Sequence, residues 1–95
     1  MDLGELTLAT FEPLVGDQFT IAAESPIELV LSTARSAGEW PGGRAPFTLT
    51  FRGPAHPLLP QAIYRLEHAD LGLLEIFIVP SGQDADSTTY EAIFT

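Results

Sequence analysis

Two histidines and a scatter of carboxylates are the residues of this chain with the chemistry to bind a metal or move a proton. His56, His68 and Asp70 come nearest to a ligand set. His68 and Asp70 straddle the start of a predicted hairpin loop and can meet. His56 falls in a different loop, and the spacings that gather histidine, cysteine and carboxylate ligands around zinc or iron are absent. The chain has no cysteine, and the simpler expectation for His68 is a partly packed side chain. Glu67 and Glu75 face each other across the hairpin in the register predicted below, an arrangement that can raise the pKa of one carboxyl. Arg65, diagonal to Glu75 in that register, neutralises them, so a solvated charged ladder is expected in place of an acid–base pair. A serine nucleophile needs a base and an orienting carboxylate within reach; of Ser25, Ser32, Ser36, Ser81 and Ser87, none has a Gly-x-Ser-x-Gly setting. Gly42-Gly43-Arg44 lacks the flanking strand and helix that make a glycine run a phosphate loop. No catalytic, cofactor-binding or metal-ligating residue is nominated, no cofactor is expected, and the chain reads as a non-enzyme.

The elements that would position these side chains follow from the hydrophobic pattern. Leu6 to Val15 predicts a short helix, with Thr10 capping a final turn through Phe11-Glu12-Pro13-Leu14, Pro13 tolerated in a first turn and Gly16 as the stop. From Asp17 the apolar period becomes two. Strands are predicted over 18–23, 27–35, 47–53, 62–69, 73–79 and 88–95. Ile27, Leu29 and Leu31 face inward in the second, Phe47, Leu49 and Phe51 in the third, and Tyr90, Ala92 and Phe94 in the last. The stretch 36–46, rich in glycine and proline, is a loop. Asp70-Leu71-Gly72 predicts a three-residue hairpin loop with glycine at the left-handed position. That register sets Leu66 opposite Ile76, Tyr64 opposite Ile78 and His68 opposite Leu74, with Arg65, Glu67, Glu75 and Phe77 on the other face. Pro80 ends that strand, and 81–87 is a polar, flexible tip. The fold class is therefore all-β: one domain over 1–95, a small six-stranded antiparallel barrel or compact sandwich with a short N-terminal helix.

Composition narrows the partners. Thirteen acidic residues against four basic ones, all arginine, give a formal net charge of -9. That balance repels a phosphate backbone and an anionic membrane surface, so neither nucleic acid nor membrane is an expected partner. The first five residues carry no basic or apolar leader pattern, and no apolar run approaches the roughly 20 residues that span a bilayer. The expectation is a soluble domain, cytoplasmic by default.

Several short pieces in order carry a resemblance. Phe11-Glu12-Pro13-Leu14-Val15-Gly16-Asp17-Gln18-Phe19 resembles the opening of the DUF6916-type family of small uncharacterised bacterial domains. Pro46 to Pro54, Leu59 to His68, Leu71-Gly72, Glu75 to Pro80 and Tyr90 to Phe94 resemble its later segments; the loops at 33–45 and 81–87 are least alike. The family lends no activity and no catalytic residue. The resemblance implies a structural or assembly role, with members accompanying phage-tail-like or fibre proteins.

Two residues are singled out as partner contacts. Trp40 lies in the glycine- and proline-rich loop, where it either anchors a partner or folds back as a lid over a barrel end. Arg52, near the end of its strand, can pair with a partner carboxylate, though a local acid is the simpler match. The chain thus reads as a protein-interaction or assembly module binding another protein or itself, with predicted strand edges and Trp40 as contacts. The alternative is a small barrel binding a small molecule. It is disfavoured because six strands leave an interior only just filled by side chains, and because the inward positions are plain aliphatic and aromatic.

Overall fold

An apolar residue at every second position gives each strand one face that must leave water, and here six strands satisfy that demand by closing on one another. The computed structural model of the chain describes residues 6–23, 26–38 and 46–94. Helix α1 spans Leu8–Phe11, followed by a 3-10 turn over Glu12–Leu14. The strands are β1 (Gln18–Ile21), β2 (Ile27–Ser36), β3 (Phe47–Pro54), β4 (Ala62–His68), β5 (Gly72–Gln83) and β6 (Ser87–Phe94). They form a closed barrel in the order β1-β2-β3-β6-β5-β4, with every neighbouring pair antiparallel. The barrel alternative of the predicted fold class is the one adopted.

The interior is filled by the inward alternation. Phe19, Leu29, Leu31, Leu49, Phe51, Leu66, Ile78 and their neighbours are fully buried, each contributing about 1.5–3 kcal/mol by leaving water. One end of the barrel is closed by the helical segment. Leu6 and Phe11 are fully buried, and the Phe11 ring lies 5.8 Å from that of Phe47 and 5.7 Å from that of Phe94. Phe47 and Phe94, opposite one another on β3 and β6, stack at 4.6 Å. The segment 55–61 is tied to the far ends of β5 and β6. The Leu59 amide donates to Tyr90 Oη at 3.0 Å, and Gln83 Nε2 donates to the Ala55 carbonyl at 2.6 Å.

The structure corrects several boundaries. The helical segment is one short α turn and a 3-10 turn. Thr7, not Thr10, caps α1; Thr10 sits within it, its Oγ1 accepting the Thr7 amide at 3.2 Å. Gly16 does stop the segment, with φ at +96°. In the β4–β5 hairpin the turn is Ala69-Asp70-Leu71, so Leu66 pairs with Leu74, Tyr64 with Ile76 and His68 with Gly72. The predicted register was displaced by two residues, an even number, which leaves every side chain on its predicted face. It also sets Arg65 directly opposite Glu75, and Glu67 opposite Leu73, so the two glutamates are not cross-strand partners. Pro80 does not end β5. Beyond Ile78 the strand pairs with β6 alone, and a proline is tolerated where one side of the ladder is open. The ladder shifts register between Pro80 and Gly82. The tip that follows is an ordered turn: Asp84 Oδ1 accepts the amides of Asp86 and Ser87, each at 2.8 Å. Closure gives every strand a neighbour on both sides, because β1 reaches β4 through Thr20–Glu67 and Ile21–Leu66.

Candidate functional site

The connection from the helical segment to β1 brings Asp17 against the β4–β5 turn, and His68 is where they meet. Its side chain is 3% exposed while that of Asp17 is 45% exposed. Every polar atom of the imidazole has a partner. Nδ1 accepts the backbone amides of Asp70 at 3.1 Å and Leu71 at 3.3 Å, and Nε2 lies 2.9 Å from Asp17 Oδ2. An atom that accepts two amide protons carries none itself, so these partners assign the proton to Nε2, which donates it to the carboxylate. The Phe19 ring packs at 4.7 Å from the imidazole. This turn chemistry explains the observed register: the hairpin folds around His68 Nδ1, and Gly72, at φ +75°, opens β5.

An open cleft of about 500 Å³ lies beside the pair, lined by Asp17, Thr20, Glu67, His68 and Asp70 among others. With both imidazole nitrogens engaged, the pair lacks a free nitrogen to take a proton from a substrate or to ligate a metal, and its role is to staple the turn to β1. His56 lines a different cleft, with Pro26, Ile27, Glu28, Pro54 and Pro57, so the structure does not bring it to His68 and Asp70. Among the described residues no group of three histidines and carboxylates could hold a metal ion.

The second candidate is the outside of the barrel. Ile63 and Phe77 are directly opposite each other on β4 and β5, and are 65% and 51% exposed. Ile93 on β6 is 65% exposed. Val79 of β5 pairs with Glu91 of β6; Phe77 precedes the one and Ile93 follows the other by two residues, each on the outward parity of its strand. Three neighbouring strands thus carry large apolar residues on the outer face. The next level on β4 and β5 is the Arg65–Glu75 pair, followed by Glu67 opposite Leu73, the leucine 48% exposed. Of these apolar residues the predicted hairpin faces place only Phe77 outside. The signal for Ile63 and Ile93 was nonetheless present: Tyr64 and Leu66, and Ala92 and Phe94, fix the inward parity of β4 and β6, which leaves both isoleucines on the polar one.

Trp40 and Gly42-Gly43-Arg44 lie outside the described residues, as does Ser25. Arg52 is exposed on β3, between Val30 of β2 and Thr89 of β6. Among the described residues it makes no ion pair, and the local acid its charge acts on is Asp84. Asp84 is held below the usual carboxylate range chiefly by the Asp86 amide and then the Ser87 amide, with Arg52 a smaller influence. No helix among the described residues is long and apolar enough to cross a membrane.

Comparison with known proteins agrees with the segmental resemblance. The model of the family described as Domain of unknown function (DUF6916) matches residues 6–94, and the chain belongs to that family. No curated protein and no solved structure matches it.

Proposed function

We propose that this DUF6916 domain is a non-enzymatic protein-interaction or assembly module, carried in the cytoplasm as part of a larger complex of the phage-tail-like or fibre-associated kind. The observation that carries the reading is the contrast between the two faces of its strands. The inner face is occupied by the chain's own buried side chains, while the outer face presents Ile63, Phe77 and Ile93 to solvent. Large apolar residues grouped on an outer surface mark sites of association. The His68–Asp17 pair supports the same reading, since its hydrogen bonds all go to holding the fold.

The reading is tested by affinity capture on the immobilised domain from its own host, with the domain's solution mass measured by light scattering. A stoichiometric protein partner or a defined oligomer is expected. A strict monomer that captures no protein and whose melting temperature rises reproducibly with one class of metabolite would overturn the reading in favour of a small-molecule-binding barrel.

A further inference from the structure

We propose that the outer face of β4, β5 and β6 docks a cationic segment of another protein, one with aliphatic or aromatic side chains at its centre and lysine or arginine at its margins. The proposal rests on the interaction-module reading and adds the face and the chemistry of the partner. Ile63, Phe77 and Ile93 form the apolar centre. Carboxylates border it: Glu75 and Glu67 follow along the β4–β5 hairpin, and Glu91 precedes Ile93 by two residues on β6. Arg65 stands directly opposite Glu75. Glu67 faces Leu73 and has no cation as its cross-strand partner, while Glu91 stands between Val79 and Thr50 with Arg52 diagonal to it across β3 and β6. An apolar centre with a charged rim is the usual anatomy of a protein interface, and here Glu67, Glu75 and Glu91 outnumber Arg65 and Arg52.

Charge also decides between partners. A second copy would bring another formal charge of -9 and place glutamates against glutamates, within the roughly 8 Å over which charges act at physiological salt. A cationic partner turns the same rim into attraction and faster encounter. The contact is made by side chains, because Ile63 and Phe77 stand on the outward parity of two strands already paired to each other through Ala62–Ile78 and Ile63–Phe77.

The test uses the intact domain, labelled with 15N, and a synthetic peptide of alternating leucine and lysine at about 0.15 M salt. Two control peptides replace every lysine with glutamate or every leucine with serine. The leucine–lysine peptide is expected to shift the resonances of Ile63, Phe77 and Ile93 and to bind at least about tenfold more tightly than either control. Ile63→Ser with Phe77→Ser, whose side chains are exposed and whose melting temperature is checked first, should weaken binding by at least about tenfold. Glu75→Gln with Glu91→Gln should weaken it severalfold and flatten its dependence on salt. Shifts confined to the His68 cleft or to residues 37–46, insensitive to the Ile63 and Phe77 substitutions, would overturn the proposed face and leave the module reading standing. Equal binding of the glutamate peptide, or no binding by any peptide, would overturn the partner chemistry. Dimerisation that the same substitutions abolish would assign the face to a second copy. Flotation with phosphatidylcholine vesicles that they abolish would assign it to lipid. Either result overturns the proposal.

Discussion

Replacing His68 with alanine removes four interactions at once, and their sizes can be worked from the structure. The two turn amides lose their acceptor, but Asp70 is exposed and Leu71 half-buried. Water therefore replaces part of what is lost, and the pair contributes about 1 kcal/mol together. The contact with Asp17 is discounted to about 0.5 kcal/mol because that carboxylate is 45% exposed. Truncating a ring packed at 4.7 Å from Phe19 adds about 1.5 kcal/mol, below the cost of emptying a fully apolar site. The expected loss is about 3 kcal/mol, which corresponds to a fall in melting temperature of about 12–24 °C for a domain of this size. Urea denaturation monitored by circular dichroism reads this directly. Two further variants separate the contributions. His68→Asn keeps an acceptor near the position of Nδ1 and abandons Asp17, whereas His68→Gln reaches toward Asp17 and abandons the turn. The turn amides contribute more than the Asp17 contact, so His68→Asn is the milder of the two, at about two thirds of the alanine loss. Nitrogen-15 NMR of the imidazole should show the neutral form protonated at Nε2. An Nδ1–H tautomer, or an alanine variant within about 0.5 kcal/mol of the parent, would refute the staple.

Gly53→Ala should destabilise the barrel by about 1–3 kcal/mol in the same denaturation assay, because its new Cβ would lie 2.5 Å from Leu29 Cδ2 and 3.7 Å from the Tyr90 ring. Leu29 is fully buried and cannot yield without repacking; an unchanged midpoint would show that it can. Phe11→Ala opens the end of the barrel closed by Phe11, Phe47 and Phe94 and is expected to cost about 3–5 kcal/mol, measured as loss of folded protein at moderate urea. Asp84 has a folded pKa below its ordinary 3.8, so its contribution to stability is complete above that value and is lost as pH falls through the lowered one. Asp84→Asn keeps the acceptor oxygen without the titration, so parent and variant should differ near neutrality and converge in acid, as read by melting temperature against pH.

Period-two alternation made most of the barrel legible, because burial on one face leaves little choice of which residues turn inward. Phe47-Leu49-Phe51 and Tyr90-Ala92-Phe94 are buried as that pattern requires. Register was harder to read because it is set by particular hydrogen bonds. The glycine after Asp70-Leu71 suggested a loop ending at Gly72, yet the hairpin closes one residue earlier, where His68 Nδ1 gathers two amides. Asp17 is 51 residues from His68 in sequence, and no local signal announces that partnership. The role of Pro80 was misread for a similar reason: whether a proline can stay in a strand depends on which side of the ladder lies open, a fact of topology. The closure of β1 on β4 is likewise invisible in a local pattern, since it spans two short elements separated by two other strands in sequence.

Closure bears on function as well as on fold. An open sheet offers its edge to any extended chain, and discrimination there comes only from the side chains on either side. Once β1 meets β4 no strand is left as a free edge, and the side chains displayed on the outer surface carry the recognition. Buried aromatics at one end and the 55–61 segment at the other leave the interior to the chain's own residues. Under the module reading, selectivity then comes from what stands on the outward parity of each strand. On β4, β5 and β6 that parity carries exposed apolar residues with carboxylates on the same strands. The apolar centre supplies affinity to any hydrophobic partner, while the acidic rim and the net charge of -9 penalise acidic ones, the domain itself included. Attraction at the centre and repulsion at the rim are two separable requirements, and a surface that imposes both selects more narrowly than either alone.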